Sequence, residues 1–191
     1  RDGIEDLVVA SPFASTDGKQ WNGSVKLIMG SKDVDVLGEN DLTVFNFYGE
    51  YSGDQLGTSL AVGDFNDDSV DDLAIGAYNA QFEGKRTGKV YIVYGYKDMT
   101  SQTSRQEANQ LLARMDSREI NFGLNKSDFE LIGKSSGDGF GLSLASDDID
   151  SDGIDDLVVG APFVSVPDRL KNRSKAGAVY VYFGTLSGFA S

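Results

Sequence analysis

Apolar and polar positions alternate along this chain in short runs, and the runs return in the same order. Strand formers fill Gly23 to Met29 (GSVKLIM), Leu42 to Tyr48 (LTVFNFY), Leu56 to Val62 (LGTSLAV) and Leu73 to Ala77. They fill Lys89 to Tyr94 (KVYIVY), Phe129 to Ile132 (FELI), Phe140 to Ser146 (FGLSLAS), Leu157 to Ala161 and Ala178 to Phe183 (AVYVYF) as well. Gly, Asp, Asn and Ser punctuate these runs, which predicts β-strands joined by turns. KVYIVY and AVYVYF are apolar or aromatic on both alternating faces. Strands of that kind need cover on both sides, as in a sheet stacked between two similar sheets. One stretch breaks the rhythm. Between Met99 and Ile120, Ala108, Leu111, Leu112 and Met115 follow helical spacing, and Ser104 with Glu107 forms a capping-box pattern. A short amphipathic helix is predicted there, near residues 101–118, with its apolar stripe packed on its own sheet.

An acidic loop separates the first and second strands of each unit. In DDIDSDGIDDLVVGAPF, from Asp147 to Phe163, Asp148, Asp150, Asp152 and Asp156 take the first, third, fifth and ninth places, and the Ile154 carbonyl stands at the seventh. Carboxylates at every second position of a curling backbone can converge on one hard dication, which prefers several oxygen ligands at short range. Without a cation they would repel one another and raise each other's pKa. The pattern returns with Asp64, Asn66, Asp68 and Asp72 at the same places and the Val70 carbonyl at the seventh. Ser69 stands where the later copy has Gly153, and its β-carbon opposes a positive φ, so this loop is expected to be less regular. A partial third copy supplies Asp2, Ile4 and Asp6 at the fifth, seventh and ninth places. Calcium is the expected ion. An isolated Asp/Gly cluster is more often a solvated turn than a site, and it is the recurrence before a strand that favours a ligand role.

Aligned on the fifth place, the copies are 66 and 84 residues apart, the second interval holding the helical insertion. Repeats of this length, each with about four strands, predict an all-β fold: part of a β-propeller made of four-stranded antiparallel blades. A β-sandwich is the alternative, and it accounts less well for a loop recurring at one place in each unit. The expected units are an incomplete blade over 1–49, a blade with the insertion over 50–133, and a blade over 134–191 without a clear last strand. Propellers need about 4 to 8 blades, so the ring is expected to be completed by sequence outside this chain.

Composition narrows the function. The formal charge of −13 disfavours nucleic acid and anionic membrane surfaces. No apolar run approaches the roughly 20 residues that span a bilayer. The chain has no His and no Cys, which removes the commonest general base and transition-metal ligand, thiolate metal sites and disulfides. Sequons at Asn22-Gly-Ser24, Asn125-Lys-Ser127 and Asn172-Arg-Ser174 fit a secreted glycoprotein, and calcium loops of modest affinity fill most readily outside cells.

Phe140-Gly141, the Asp148 to Asp156 loop and Gly160-Ala161-Pro162 together resemble the FG-GAP repeats of integrin α-subunit propellers and of the propeller in glycosylphosphatidylinositol-specific phospholipase D. The middle copy departs with Leu56-Gly57 and Gly76-Ala77-Tyr78, and the first ends Ala10-Ser11-Pro12. The resemblance implies a seven-bladed propeller with structural calcium in the turn between the first and second strands of certain blades, on the face away from most ligand contacts. An EF-hand is set aside because Val159 and Ile75 occupy the twelfth place, where that loop needs a bidentate Glu.

Three functions compete. The first is a calcium-stabilised extracellular module for protein binding or adhesion, with partner contacts on the connections Phe13 to Trp21, Tyr78 to Thr87 and Phe163 to Lys175. Trp21, Tyr78 and Phe82 are candidate contact aromatics, each with a packing role as the plain alternative. The second is the non-catalytic propeller of a phospholipase-like enzyme, and the third a structural subunit of a larger assembly. Catalysis within the segment is disfavoured: Gly57-Thr-Ser59 and Gly141-Leu-Ser143 lack the next Gly of a nucleophile elbow, and Gly84-Lys85 lacks phosphate-loop spacing.

Overall fold

A computed structural model describes residues 4–30, 44–95, 119–121, 127–167, 172–173 and 175–189. Three sheets carry the chain. The first contains β1 (Leu7–Ser11), β2 (Ser24–Ile28) and β3 (Val44–Tyr48), paired antiparallel in that order. The second begins with β4 (Ser59–Gly63) and β5 (Asp72–Ala77), followed by the small ladder of β6 (Gln81–Phe82) and β7 (Lys85–Arg86) and by β8 (Lys89–Val93). A three-residue strand, β9 (Glu119–Asn121), precedes β10 (Phe129–Ile132), which closes the second sheet in the order β10-β8-β5-β4. The third sheet, β11-β12-β15, is made of β11 (Ser143–Asp147), β12 (Asp156–Ala161) and β15 (Ala178–Tyr182). The ladder of β13 (Val166–Pro167) and β14 (Asn172–Arg173) lies in its long connection.

The second sheet is covered on both faces. All six residues of β5 are buried. Leu73, Ile75 and Ala77 join Tyr91 and Leu56 in a cluster with Val25 and Phe47 of the first sheet. The intervening Ala74 joins Val90, Ile92, Leu131 and Phe140 in a cluster with Leu157, Val159 and Ala161 of the third. Alternation with period two thus feeds two cores from one strand, as the two-faced run KVYIVY requires. At the ends of the stack only the inward faces are covered. Val8 and Ala10 face the second sheet while Leu7 is 58% exposed; Tyr180 packs on Phe140 at 5.5 Å while Val179 is 69% exposed. Stacked sheets with bare apolar outer faces fit part of a β-propeller, without ring closure among the described residues.

Glycines let the sheets approach at one end. Gly141 (φ +84°) donates its N–H to the Gly160 carbonyl within its own sheet, and its own carbonyl accepts from Ser59 Oγ at 2.7 Å in the neighbouring one. A Cβ on Gly76 would stand 2.2 Å from that same Gly141 oxygen, so only glycine admits the contact.

Two expectations are modified. The first sheet gains a fourth strand from the insertion: β9 pairs parallel with β3 at its outer edge, where the open backbone groups of an edge strand accept an added one. Second, Asn22 of the first sequon is fully buried, its Nδ2 donating to Thr16 Oγ1 (2.7 Å) and to the Gly49 carbonyl (3.1 Å), so it is a structural residue rather than an accessible acceptor. The helix expected near 101–118, Asn125 and Asp2 lie outside the described residues, among which no helix occurs.

Phe140 is buried between the second and third sheets, with its ring against Tyr180 and Tyr182. Phe140→Ala should lower unfolding stability by about 3–5 kcal/mol, the usual cost of emptying a buried aromatic site, read as a shift in the urea midpoint at unchanged slope.

Candidate metal centre

The two acidic loops connect β4 to β5 and β11 to β12, and the same hydrogen bonds build both. Asp64 accepts Asp68 N–H on Oδ1 (3.1 Å) and Ser69 N–H on Oδ2 (2.7 Å); Asp148 accepts Asp152 N–H (3.1 Å) and Gly153 N–H (3.0 Å) in the same way. Asn66 and Asp150 accept the Asp68 and Asp152 amides, while Asp68 and Asp152 each cap the amide two residues on, at Val70 and Ile154. The ninth-place carboxylates are buried. Asp72 spans from Phe65 N–H (2.9 Å) to Gly95 N–H (2.8 Å), and Asp156 from Ile149 N–H (3.0 Å) to Gly184 N–H (2.9 Å). Each thereby ties its loop to the end of the third strand of the same sheet. Ser69 holds a φ of +64° where Gly153 has +92°, so the expected irregularity does not develop: three carboxylate-to-amide bonds offset the strain of its β-carbon.

These bonds aim the carboxylates inward. Asp148, Asp150 and Asp156 each offer an oxygen, all within 4.8 Å of one another. Two oxygens bound to one calcium at about 2.4 Å can be no further apart than about 4.8 Å, so the spacing and the all-oxygen donor set fit that ion. A carboxylate oxygen that accepts one N–H keeps capacity for a further partner. In the first loop the matching trio is Asp64, Asn66 and Asp72, with an amide oxygen for one carboxylate. Asp152 is not part of the close trio. In the partial copy, Asp6 accepts Gly30 N–H on Oδ1 at 2.7 Å, the counterpart of the Asp72 bond to Gly95. Burial first, and then the charges of Asp68 and Asp64, push the Asp72 carboxyl up to about 7 against the N–H bonds that oppose the shift. Asp150 is raised in the same sense, by desolvation and then by Asp152.

The FG-GAP repeat family matches residues 56–93 and 140–182, each span holding one of these loops with the strands around it. The chain carries FG-GAP repeats. It is 32% identical over 94% of its length to phosphatidylinositol-glycan-specific phospholipase D of Mus musculus and 29% identical over 98% to integrin alpha-V of Gallus gallus. It is also 30% identical over 66% to integrin alpha-PS2 of Drosophila melanogaster. These alignments span 19%, 14% and 7% of the respective relatives.

The opposite end of the FG-GAP sheets carries a second polar group that the sequence reading passed over. Lys89 is buried at the start of β8, 3.2 Å from Glu130 and 3.7 Å from Glu50, with its ammonium 5.6 Å from the Tyr91 ring centre. Asp54 is 1% exposed beside them; Oδ2 accepts Tyr51 N–H at 2.8 Å and Oδ1 has no hydrogen-bond partner among the described residues. No periodicity marks such a group, because its members come from the β3–β4 connection, β8 and β10. At this end, too, lie the exposed aromatics of the connections: Phe13 (70%), Trp21 (58%), Phe82 and Phe163, with Tyr78 half-buried.

Burial is the main cause that raises the Asp54 carboxyl to about 6, with the Tyr51 amide, Arg86 and Lys89 opposing it. A folded pKa above the unfolded one means that the folded state binds more protons between them, so this carboxyl's contribution to stability is fully present below about pH 4 and is lost as pH rises through 6. Asp54→Asn keeps the acceptor and removes the charge. Denaturation at steps from pH 4 to 7 should show the variant gaining on the parent with rising pH, by up to about 3 kcal/mol at neutrality.

Proposed function

We propose that the chain is a calcium-stabilised extracellular propeller module whose task is to bind a protein partner, as in adhesion. The carrying observation is the pair of loops built by one hydrogen-bond pattern, with carboxylate oxygens gathered within 4.8 Å in the second. Asp148, Asp150 and Asp156, with Asp152 and the Ile154 carbonyl, are the ligands in this reading; Asp64, Asn66, Asp68, Asp72 and the Val70 carbonyl serve the first loop, and Asp2, Ile4 and Asp6 the partial one. Bound calcium would supply the positive charge that lets these carboxylates stay ionised side by side. The protein's own contribution is to hold the oxygens in place through backbone amides, so little ordering is left to do on binding. The unit boundaries 1–49, 50–133 and 134–191 belong to the same proposal.

The partner surface, in this reading, is the end of the sheets away from the loops. Phe13, Trp21, Phe82 and Phe163 stand there on connections held by rigid strands, an arrangement suited to contact with another protein. A chain of formal charge −13 is a poor match for nucleic acid. No described helix is long and apolar enough to cross a membrane. The segment is read as non-catalytic, with any chemistry in other parts of the parent protein. The 94% coverage against the phospholipase D supports a second reading, the accessory propeller of a secreted enzyme.

Calcium that binds only the folded chain stabilises it by about 2.7 kcal/mol per site at a hundredfold excess over Kd. The melting temperature should therefore rise across millimolar calcium and drop on adding chelator, and Asp148→Ala should lose part of the rise. A melting temperature indifferent to calcium would refute the metal role.

A further inference from the structure

The two loops touch. Asp155 lies in the second loop, between the Ile154 carbonyl and Asp156, and its side chain turns away from the oxygen cluster towards the neighbouring sheet. Its Oδ2 accepts the Asp64 N–H at 2.9 Å, while its own N–H donates to the Asp64 carbonyl at 3.0 Å. One residue of the third sheet thus clamps both backbone groups of the first-place residue in the loop of the second. Thr185 N–H to the Phe65 carbonyl (3.3 Å) and Ser146 Oγ to the Val62 carbonyl (2.6 Å) continue the seam on either side.

We propose that Asp155 is a positioning residue that sets the calcium affinity of the Asp64 loop from the adjacent sheet, so that the two loops bind as a coupled pair rather than independently. This rests on the metal reading above. The Asp64 side chain holds Asp68 N–H and Ser69 N–H at once, so its backbone must be fixed before its carboxylate can be. With the clamp in place, the loop is spared part of the conformational entropy of ordering when it binds. A charged hydrogen-bond acceptor on a backbone amide is among the stronger contacts available for this purpose.

Gly63 shows that the seam is shaped for the clamp. A Cβ at that position would sit 2.9 Å from both Cβ and Oδ2 of Asp155. The corresponding place in the second loop is Asp147, whose Oδ1 accepts Asp148 N–H at 3.0 Å within its own loop. The amide that an incoming clamp would use is therefore taken from within, and the coupling belongs to the seam between the second and third sheets. The sequence motif assigns Asp155 no ligand role, because it falls at the eighth place.

Calcium titration by calorimetry tests the proposal in two backgrounds. Asp148→Ala disables the second loop and leaves the Asp64 loop to be measured; Asp64→Ala does the reverse while leaving the clamped peptide in place. In the first background, adding Asp155→Ala should weaken binding about three- to tenfold, the scale of one net hydrogen bond. Asp155→Asn, which keeps an oxygen acceptor, should recover most of that loss. In the second background Asp155→Ala should change affinity by less than about twofold. Equal losses in the two backgrounds, or an Asn variant as weak as Ala, would overturn the proposal, the latter by showing that only net charge matters. Should Asp155→Ala not fold, Gly63→Ala drives a methyl into the clamp and must weaken the Asp64 loop to the same degree. If the unsubstituted chain binds no calcium, the metal reading fails on its own. The clamp is then judged by amide exchange, where equal protection of Asp64 N–H in parent and Asp155→Ala would dismiss it.

Discussion

Everything in this fold depends on a sheet that cannot be left bare on either side. β5 runs through the middle of the second sheet with all of its side chains buried, sending Leu73, Ile75 and Ala77 one way and Ala74 the other. A single strand of alternating apolar residues therefore commits the chain to a stack of at least three sheets. Burial at roughly 25 cal/mol per Å² makes this the dominant favourable contribution. The same logic leaves Leu7 and Val179 pointing outward from the ends of the stack, where further blades would meet them.

Stacking sheets face to face brings their strand ends together, and the two ends are chemically different. At one end, side-chain oxygens at first, third and ninth places are drawn onto backbone amides, and in the second loop towards one another. Each loop accepts an electrostatic cost in return for a backbone that is held without any core of its own. At the other end, Lys89 sits between Glu50 and Glu130, and Asp54 is held in the same buried surroundings. Charge is concentrated in buried or hydrogen-bonded positions at both ends, while the aromatics of the connections face solvent. A stack with one end ordered by acidic turns and the other carrying exposed aromatic loops is the arrangement on which the proposed recognition role rests.

The junctions between sheets are as specific as the sheets. Ser59 reaches the Gly141 carbonyl near the inner strands and Asp155 reaches the Asp64 peptide at the loops; the first contact passes a position where only glycine fits, Gly76, and the second a glycine, Gly63, whose added Cβ would press on the Asp155 side chain. Neighbouring repeats are therefore registered by side chain-to-backbone bonds as well as by apolar contact. Such bonds have little tolerance for sliding, which an apolar face alone would permit.

Much of this was legible along the chain. Two-faced runs such as KVYIVY announced a doubly covered sheet; the spacing of Asp148, Asp150, Asp152 and Asp156 pointed to convergent oxygens, and the fold brings three of the four within 4.8 Å of one another while Asp152 stays outside that trio. Ser69 in place of Gly153 pointed to an irregular loop, yet the fold holds it at positive φ through amide bonds that a propensity scale does not contain. The parallel addition of Glu119–Asn121 to β3, the burial of Asn22 inside a sequon, the gathering of Asp54 and Lys89, and the clamp of Asp155 on Asp64 had no signature in the sequence. Local order decides which residues can form a strand or a turn. Which strand edge is open, and which peptide lies opposite a given carboxylate, depends on residues dozens of positions away, and only packing brings them within hydrogen-bonding distance.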